Sequence, residues 1–126
     1  MRVRTRIAAL AAALLIGCSV IGESRVAGWP RLEIVEHHVP HREMRDRCAR
    51  YVAAAMSPEA CAEYDFAGGR CHIWYSADFP PPRYVVFHER RHCLGYEHAG
   101  ESEMSRLLAR YRAQAPVGSA SAGSSR

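Results

Sequence analysis

The sequence predicts a small α+β domain of about three helices and a short sheet, stabilised by two disulfides. Segments with a helical period alternate with short runs of β-branched and aromatic residues, which indicates helices and strands in one fold. The length of 126 residues suits one small domain. Five cysteines follow a leader typical of exported proteins, and small exported domains depend on disulfides for stability.

The leader has the features of a bacterial lipoprotein signal peptide over residues 1–17. Arginines precede an apolar run from Ile7 to Ile16, which is too short to span a bilayer stably. The run ends in Leu-Ile-Gly-Cys, which resembles a lipobox whose cysteine, Cys18, becomes lipidated. We therefore predict a lipid anchor on Cys18 in the bacterial cell envelope, on a membrane that faces the periplasm. Ordinary cleavage after Gly22 is the alternative.

The charge of the predicted mature chain is nearly balanced. The leader holds three of the seventeen arginines, which leaves fourteen against thirteen acidic residues. Such a balance gives no basic patch, so we predict no nucleic-acid partner. Residues 18–30 are predicted to be a membrane tether and residues 31–115 the folded domain. The Ser-, Gly- and Ala-rich residues 116–126 are predicted to be a disordered tail.

The first strand is predicted from Leu32 to Val39, which is rich in β-branched residues. Three histidines, His37, His38 and His41, raise the alternative of a second metal site. Neighbouring strand residues point to opposite faces, so we favour a polar strand edge over that site.

A helix is predicted over residues 42–56, with Cys48 on its buried face, because small and apolar residues recur there at helical spacing. Ser57 and Pro58 predict a turn. Residues 59–69, which contain Cys61, are predicted to be irregular.

The second strand is predicted over Cys71–Tyr75, with His72 facing solvent. Three prolines then precede a helix that starts near Tyr84. A last amphipathic helix is predicted over residues 101–114. The residues on its core face are Met104, Leu107, Leu108 and Tyr111.

The motif H-E-x-x-H-x-x-G-x-x-H, which starts at His88, carries the functional prediction. On a helix, His88 and His92 point the same way and can bind one Zn²⁺ at roughly 2.0–2.1 Å. Glu89 lies beside that face, where its carboxylate reaches a zinc-activated water. Gly95 permits the left-handed turn that brings His98 back to the metal. We predict three histidine ligands, an open fourth position and Glu89 as the catalytic base.

This motif resembles the long zinc-binding consensus of the metzincin metallopeptidases. The resemblance implies a zincin-like domain over residues 31–115 that hydrolyses peptide bonds in peptides or proteins of the cell envelope. It also implies that an edge strand before the metal helix, here Cys71–Tyr75, pairs with the substrate backbone. The alternatives are a lipoprotein with a structural zinc site, a histidine-rich helix end without metal, and an interaction module that presents Arg90 and Arg91.

The cysteine count predicts the disulfides. Lipidation of Cys18 leaves four cysteines, which allow three pairings. The turn at Gly68 and Gly69 can bring Cys61 to Cys71. Cys93 is rotated about 100° from His92 and faces the interior, as does Cys48. The predicted bonds are Cys48–Cys93 and Cys61–Cys71.

Overall fold

The computed structural model describes residues 22–51 and 58–116. These residues form three helices and two small sheets, which confirms the α+β prediction. The elements are β1 (Glu23–Arg25), β2 (Glu33–Val39), α1 (His41–Cys48) with a 3₁₀ turn (Ala49–Tyr51), β3 (Ala60–Asp65), β4 (Arg70–Ser76), α2 (Arg83–Cys93), β5 (Tyr96–His98) and α3 (Glu103–Gln114). The predicted signal peptide, Cys18 and residues 117–126 lie outside the described residues. Within the described ranges, no helix is both long and apolar enough to cross a membrane.

The larger sheet has the strand order β2-β4-β3, with β2 parallel and β3 antiparallel to β4. Cys71, Ile73 and Tyr75 alternate along β4 and are buried on one face, while His72 and Trp74 occupy the other. The predicted substrate-pairing strand is therefore central, not an edge. That part of the prediction was wrong because β3, which forms the edge, was taken to be irregular.

The two faces of this sheet carry separate cores. Helix α1 covers one face, where Met44 and Cys48 pack against Cys61. Helix α2 lies against β3 and β4 on the other face, above the larger core. The larger core consists of Val26, Trp29, Leu32, Cys71, Ile73, Tyr75, Cys93, Met104 and Leu108. Helix α2, which carries the histidine motif, thus lies on the side of the sheet that has the larger core.

The disulfides are Cys48–Cys61 and Cys71–Cys93, so both predicted pairings were wrong. Cys61 lies opposite Trp74 in the sheet register, whereas Cys71 lies opposite Tyr64. Because side chains alternate between faces, Cys61 points towards α1 and Cys71 towards α2. The sheet separates the cysteines that were predicted to pair. Cys93 does face the interior, where it bonds to β4.

The folded domain begins earlier than predicted. Residues 23–25, inside the predicted tether, form β1 and pair with β5 so that Glu23 lies opposite His98. Trp29 is only 6% exposed, and its indole nitrogen donates a hydrogen bond to the Cys93 carbonyl at 3.0 Å. The Glu-Ser-Arg strand lacks the alternation of apolar residues that would reveal it in the sequence.

The predicted helices and strands otherwise differ from the structure mainly in their bounds. Helix α1 ends at Cys48 and continues as a 3₁₀ turn, while residues 52–57, and with them the end of the predicted helix and its turn at Ser57, lie outside the described residues. The short strand β5 was not predicted. On α3, Met104 and Leu108 are buried as predicted, whereas Tyr111, which was also predicted on the core face, is 37% exposed.

Candidate metal centre

Helix α2 and strand β5 bring three imidazoles of the motif together. The Nε2 atoms of His92 and His98 lie 3.0 and 3.1 Å from Nε2 of His88. Ligand nitrogens around a tetrahedral zinc ion lie about 3.3–3.4 Å apart, given bonds of about 2.0–2.1 Å. Both distances are close to this value, and all three ligand atoms lie within 4.8 Å of one another, so the group can hold one metal ion. In the described ranges, no fourth histidine, cysteine or carboxylate joins the group.

Gly95 makes the turn that returns His98 to the other two rings. Its φ of 93° lies in the left-handed region that L side chains rarely adopt. A Cβ at this position would also lie 2.4 Å from Cγ of Trp29. The turn therefore requires glycine both for its backbone conformation and for the space that the indole occupies.

In two of the three rings, the Nδ1 atom forms a hydrogen bond to an oxygen. His92 Nδ1 donates a hydrogen bond to the Tyr96 carbonyl at 2.7 Å, and His98 Nδ1 donates to Glu101 at 2.9 Å. A neutral imidazole that carries its proton on Nδ1 presents a lone pair on Nε2. Two lone pairs thus point at His88 Nε2, which has at most one proton to offer. A cation held between the rings would accept electron density from all three nitrogens.

Glu23 supports the third ring from β1. One of its oxygens lies 3.9 Å from His88 Nδ1, and the other accepts a hydrogen bond from Arg91. That hydrogen bond lowers the pKa of Glu23, so the carboxylate stays charged beside the histidines. A strand from the predicted tether therefore takes part in the site.

Burial favours the ligand form of two of the histidines. It lowers the pKa of His88 and of His92, so both rings are neutral at pH 7. Repulsion between the protonated forms of neighbouring rings adds to this effect. Metal ligation requires neutral imidazole, so the site is prepared to bind an ion without first losing protons.

Glu89 lies next to this group in a cavity of about 210 Å³. The cavity is formed by β3, α2, β5 and the start of α3, and its walls include His88, Glu89, His92 and His98. Glu89 is 8% exposed, and burial raises its pKa to about 7. The side chains that the motif singles out are thus together on one cavity, with the carboxyl group in a poorly hydrated position.

The remaining histidines are elsewhere. His37 and His38 point to opposite faces of β2, so they cannot share an ion. His37 Nε2 lies 2.9 Å from His72 Nδ1 across the strands, so His72 contacts a neighbour rather than solvent alone. Neither His37, His38 nor His41 belongs to the described metal-binding group.

Both arginines that the interaction-module alternative requires form ion pairs within the chain, although Arg90 is exposed. Arg90 forms an ion pair with Glu36 at 2.7 Å, and Arg91 forms one with Glu23. The guanidinium of Arg91 also lies 3.9 Å from the ring centre of Tyr96. These contacts hold α2 to β1, β2 and β5, which gives both side chains a structural role.

Sequence reasoning missed the residues that orient the ligands. Glu101 follows His98 by three residues, and this spacing on the approach to a helix is a signal that could have identified it. Glu23 lies 65 residues before His88 and has no local signal. Its contact depends on the pairing of β1 with β5, which the sequence does not reveal.

The chain matches no protein-family model, no curated protein and no solved structure. The resemblance to the metzincins therefore rests on residues 88–98 alone, and the functional inference rests on the geometry of the site.

Proposed function

We propose that the protein is a zinc-dependent metallopeptidase that is anchored to the bacterial cell envelope through a lipid on Cys18. The observation that carries the proposal is the convergence of three histidine Nε2 atoms on a cavity that also holds the buried carboxyl group of Glu89. His88, His92 and His98 hold the zinc ion. When bound, zinc supplies a Lewis acid that polarises a carbonyl and lowers the pKa of a water to about 7.

Glu89 moves the proton in this proposal. Its carboxylate oxygen accepts a proton from the attacking water and then delivers it to the nitrogen of the leaving amine. Burial alone raises the pKa of Glu89 to about 7, and the charge of a bound ion would lower it again, so the group is a carboxylate that can accept a proton at neutral pH. The 8% exposure of Glu89 keeps bulk water from competing for that proton.

The edge strand β3 is suited to hold an extended substrate. It lies at the end of the sheet order β2-β4-β3, and Ala60 and Ala62 line the cavity. A peptide added along this edge forms main-chain hydrogen bonds that do not depend on its sequence. The small side chains of the two alanines leave room for the peptide to approach the histidines.

An open site favours catalysis over a purely structural role for zinc. Structural zinc is normally closed by four protein ligands, whereas catalytic zinc has three and an open position. The described residues supply three ligands and an adjoining cavity. Its volume of about 210 Å³ is several times the roughly 30 Å³ that one water molecule occupies in the liquid.

The proposed lipid anchor limits the distance from the membrane at which the protein can act on a substrate. Glu23, the first residue of β1, follows Cys18 by five residues, which span at most about 18 Å when extended. A lipidated Cys18 thus keeps the metal centre close to the membrane surface. We propose that peptides or proteins of the envelope are the substrates and that nucleic acid is not a partner.

Glu89→Gln tests the proposal. The amide keeps the shape of the side chain but takes no proton at neutral pH, so cleavage of a broad peptide library should fall by about 10²-fold or more. Zinc content, measured by elemental analysis of the same preparation, should stay at one ion per chain. The matched control is Glu43→Gln on the exposed side of α1, which should retain both zinc and activity.

Two results would count against the proposal. Equal activity of the wild type and Glu89→Gln removes Glu89 from the mechanism. A zinc-loaded wild type that cleaves no member of the library indicates a structural zinc site.

A further inference from the structure

The cavity beside the histidines is acidic. Four of the residues that line it are glutamates: Glu89, Glu97, Glu101 and Glu103. No arginine is among the described lining residues, although the chain contains seventeen. Glu101 accepts the hydrogen bond from His98, whereas the other three glutamates form no ion pair within the described residues. Carboxyl groups are therefore concentrated beside the histidines, where a substrate would lie.

Glu97 shows that this charge is not merely a solvated surface. Its side chain is only 7% exposed. One oxygen accepts a hydrogen bond from the Ser105 hydroxyl at 2.6 Å, but Oε2 is buried without a hydrogen-bond partner. A buried acceptor that remains unpaired is costly, and the cost is larger for a charged group. Glu97 also lines the cavity, so a cationic donor that enters it comes next to a carboxylate that lacks a full set of partners.

Apart from the glutamates, histidines and two tyrosines, the lining residues of the cavity are apolar. Met104 and Leu107 contribute from α3, and Ala60 and Ala62 contribute from β3. Lysine and arginine combine an aliphatic stem with a charged head, and they bury the stem along apolar surface while the head finds polar partners. A neutral apolar side chain would leave the carboxylates unpaired, and an acidic side chain would be repelled by them.

We infer that this cavity selects peptides with a lysine or arginine next to the scissile bond. Met104 and Leu107 contact the stem of that side chain, and the carboxylates of Glu97 and Glu103 bind its head. The inference rests on the proposed peptidase function and adds its substrate class. It makes Glu97 and Glu103 specificity-determining residues.

The test uses two series of blocked peptides, in which the residue just before or just after the cleavage point is varied. The varied residue is lysine, arginine, norleucine or glutamate. Both ends are blocked, so the varied side chain is the only possible cation. For the mature wild-type protein with zinc, kcat/KM for lysine or arginine should exceed that for norleucine by about 10–100-fold, the range of a charged hydrogen bond. Glutamate should be the poorest substrate.

Two variants locate the selectivity. Glu103→Arg should reverse the order of lysine and glutamate, because it puts a cation at an exposed position of the wall. Glu97→Gln should reduce the preference for lysine over norleucine by about tenfold. The control is Glu33→Arg on β2, the opposite edge of the sheet, which should keep the wild-type preference. Because Glu103 is exposed, its variant stays informative even if Glu97→Gln fails to fold.

Binding separates this inference from the peptidase proposal. The same peptides are titrated against zinc-loaded Glu89→Gln, and their dissociation constants are measured by fluorescence anisotropy. Tighter binding of lysine than norleucine, without any cleavage by the wild type, supports the cavity assignment and overturns the peptidase. Equal binding of lysine, norleucine and glutamate overturns the cavity assignment, whether or not the peptides are cleaved.

Discussion

The described residues include two groups of contacting histidines. The groups differ in what the ring nitrogens bind: oxygens outside the group in one case, and the other histidine in the other case. In the group on α2 and β5, His92 and His98 donate from Nδ1 to oxygens, so their Nε2 lone pairs converge on His88. In the pair between β2 and β4, His37 and His72 hydrogen-bond to each other at 2.9 Å. The first arrangement has one lone pair more than a proton on His88 can satisfy, which suits a cation, whereas the second is satisfied by one shared proton.

The surroundings reinforce this contrast. The His37 ring stacks on Trp74 with 3.9 Å between ring centres, and the guanidinium of Arg47 lies 3.9 Å from the Trp74 ring centre. Burial lowers the pKa of His37, and His72 and Arg47 lower it further. His37 is thus packed between aromatic rings beside a guanidinium, and that positive charge disfavours a metal ion there. Proximity of histidines alone does not make a metal site.

The largest expected effect is on zinc content, when the histidines of each group are replaced in turn. His88→Ala or His92→Ala should abolish zinc binding and His98→Ala should weaken it strongly, because two imidazoles hold the ion far less well than three. His37→Ala and His72→Ala are the matched controls and should leave one zinc per chain. Elemental analysis of purified protein measures both. A full equivalent of zinc in the triple variant of the motif histidines would place the site elsewhere.

The two disulfides extend the contrast to the two faces of the sheet. They close loops of 13 and 22 residues, so replacing either pair by alanines should cost about 3 kcal/mol of unfolding free energy. Only loss of Cys71–Cys93 should also weaken zinc binding, because that bond holds α2 on β4 next to His92. Urea denaturation measures the first effect, and competition with a chelator measures the second. Equal loss of zinc affinity when Cys48–Cys61 is removed would contradict this division.

The local parts of the structure were predictable from the sequence. The spacing of the motif fixes two histidines on one helix face, and Gly95 marks the turn that follows, so the ligand group needed no knowledge of the fold. The strands β2 and β4 and helix α3 were also found, because their apolar patterns are local, and α2 was found from the motif and the prolines before it.

The long-range parts were not predictable. The disulfide pairing depends on the face of the sheet to which Cys61 points, and that face is defined only once residues 60–65 are recognised as a strand. The contribution of Glu23 depends on a three-residue polar strand that pairs with β5. Such contacts are determined by tertiary packing, which overrides weak local preference.

The smallest expected effect concerns the oxygen that orients one ligand. Glu101→Ala removes the acceptor of the His98 Nδ1 hydrogen bond, which lies at 2.9 Å, and frees the ring to rotate or to change tautomer. Loss of such a partner typically lowers metal affinity by about 10–100-fold, so the variant should bind zinc measurably more weakly while its fold is retained. Glu63→Ala is the matched control, because Glu63 pairs with Arg50 at 2.8 Å in the region of the His37–His72 pair. If both variants lose zinc affinity equally, the loss of one negative charge, and not the orientation of His98, explains the effect. If only Glu101→Ala loses zinc affinity, the hydrogen bond to Glu101 matters because it keeps the proton of His98 on Nδ1 and leaves Nε2 free to bind the ion.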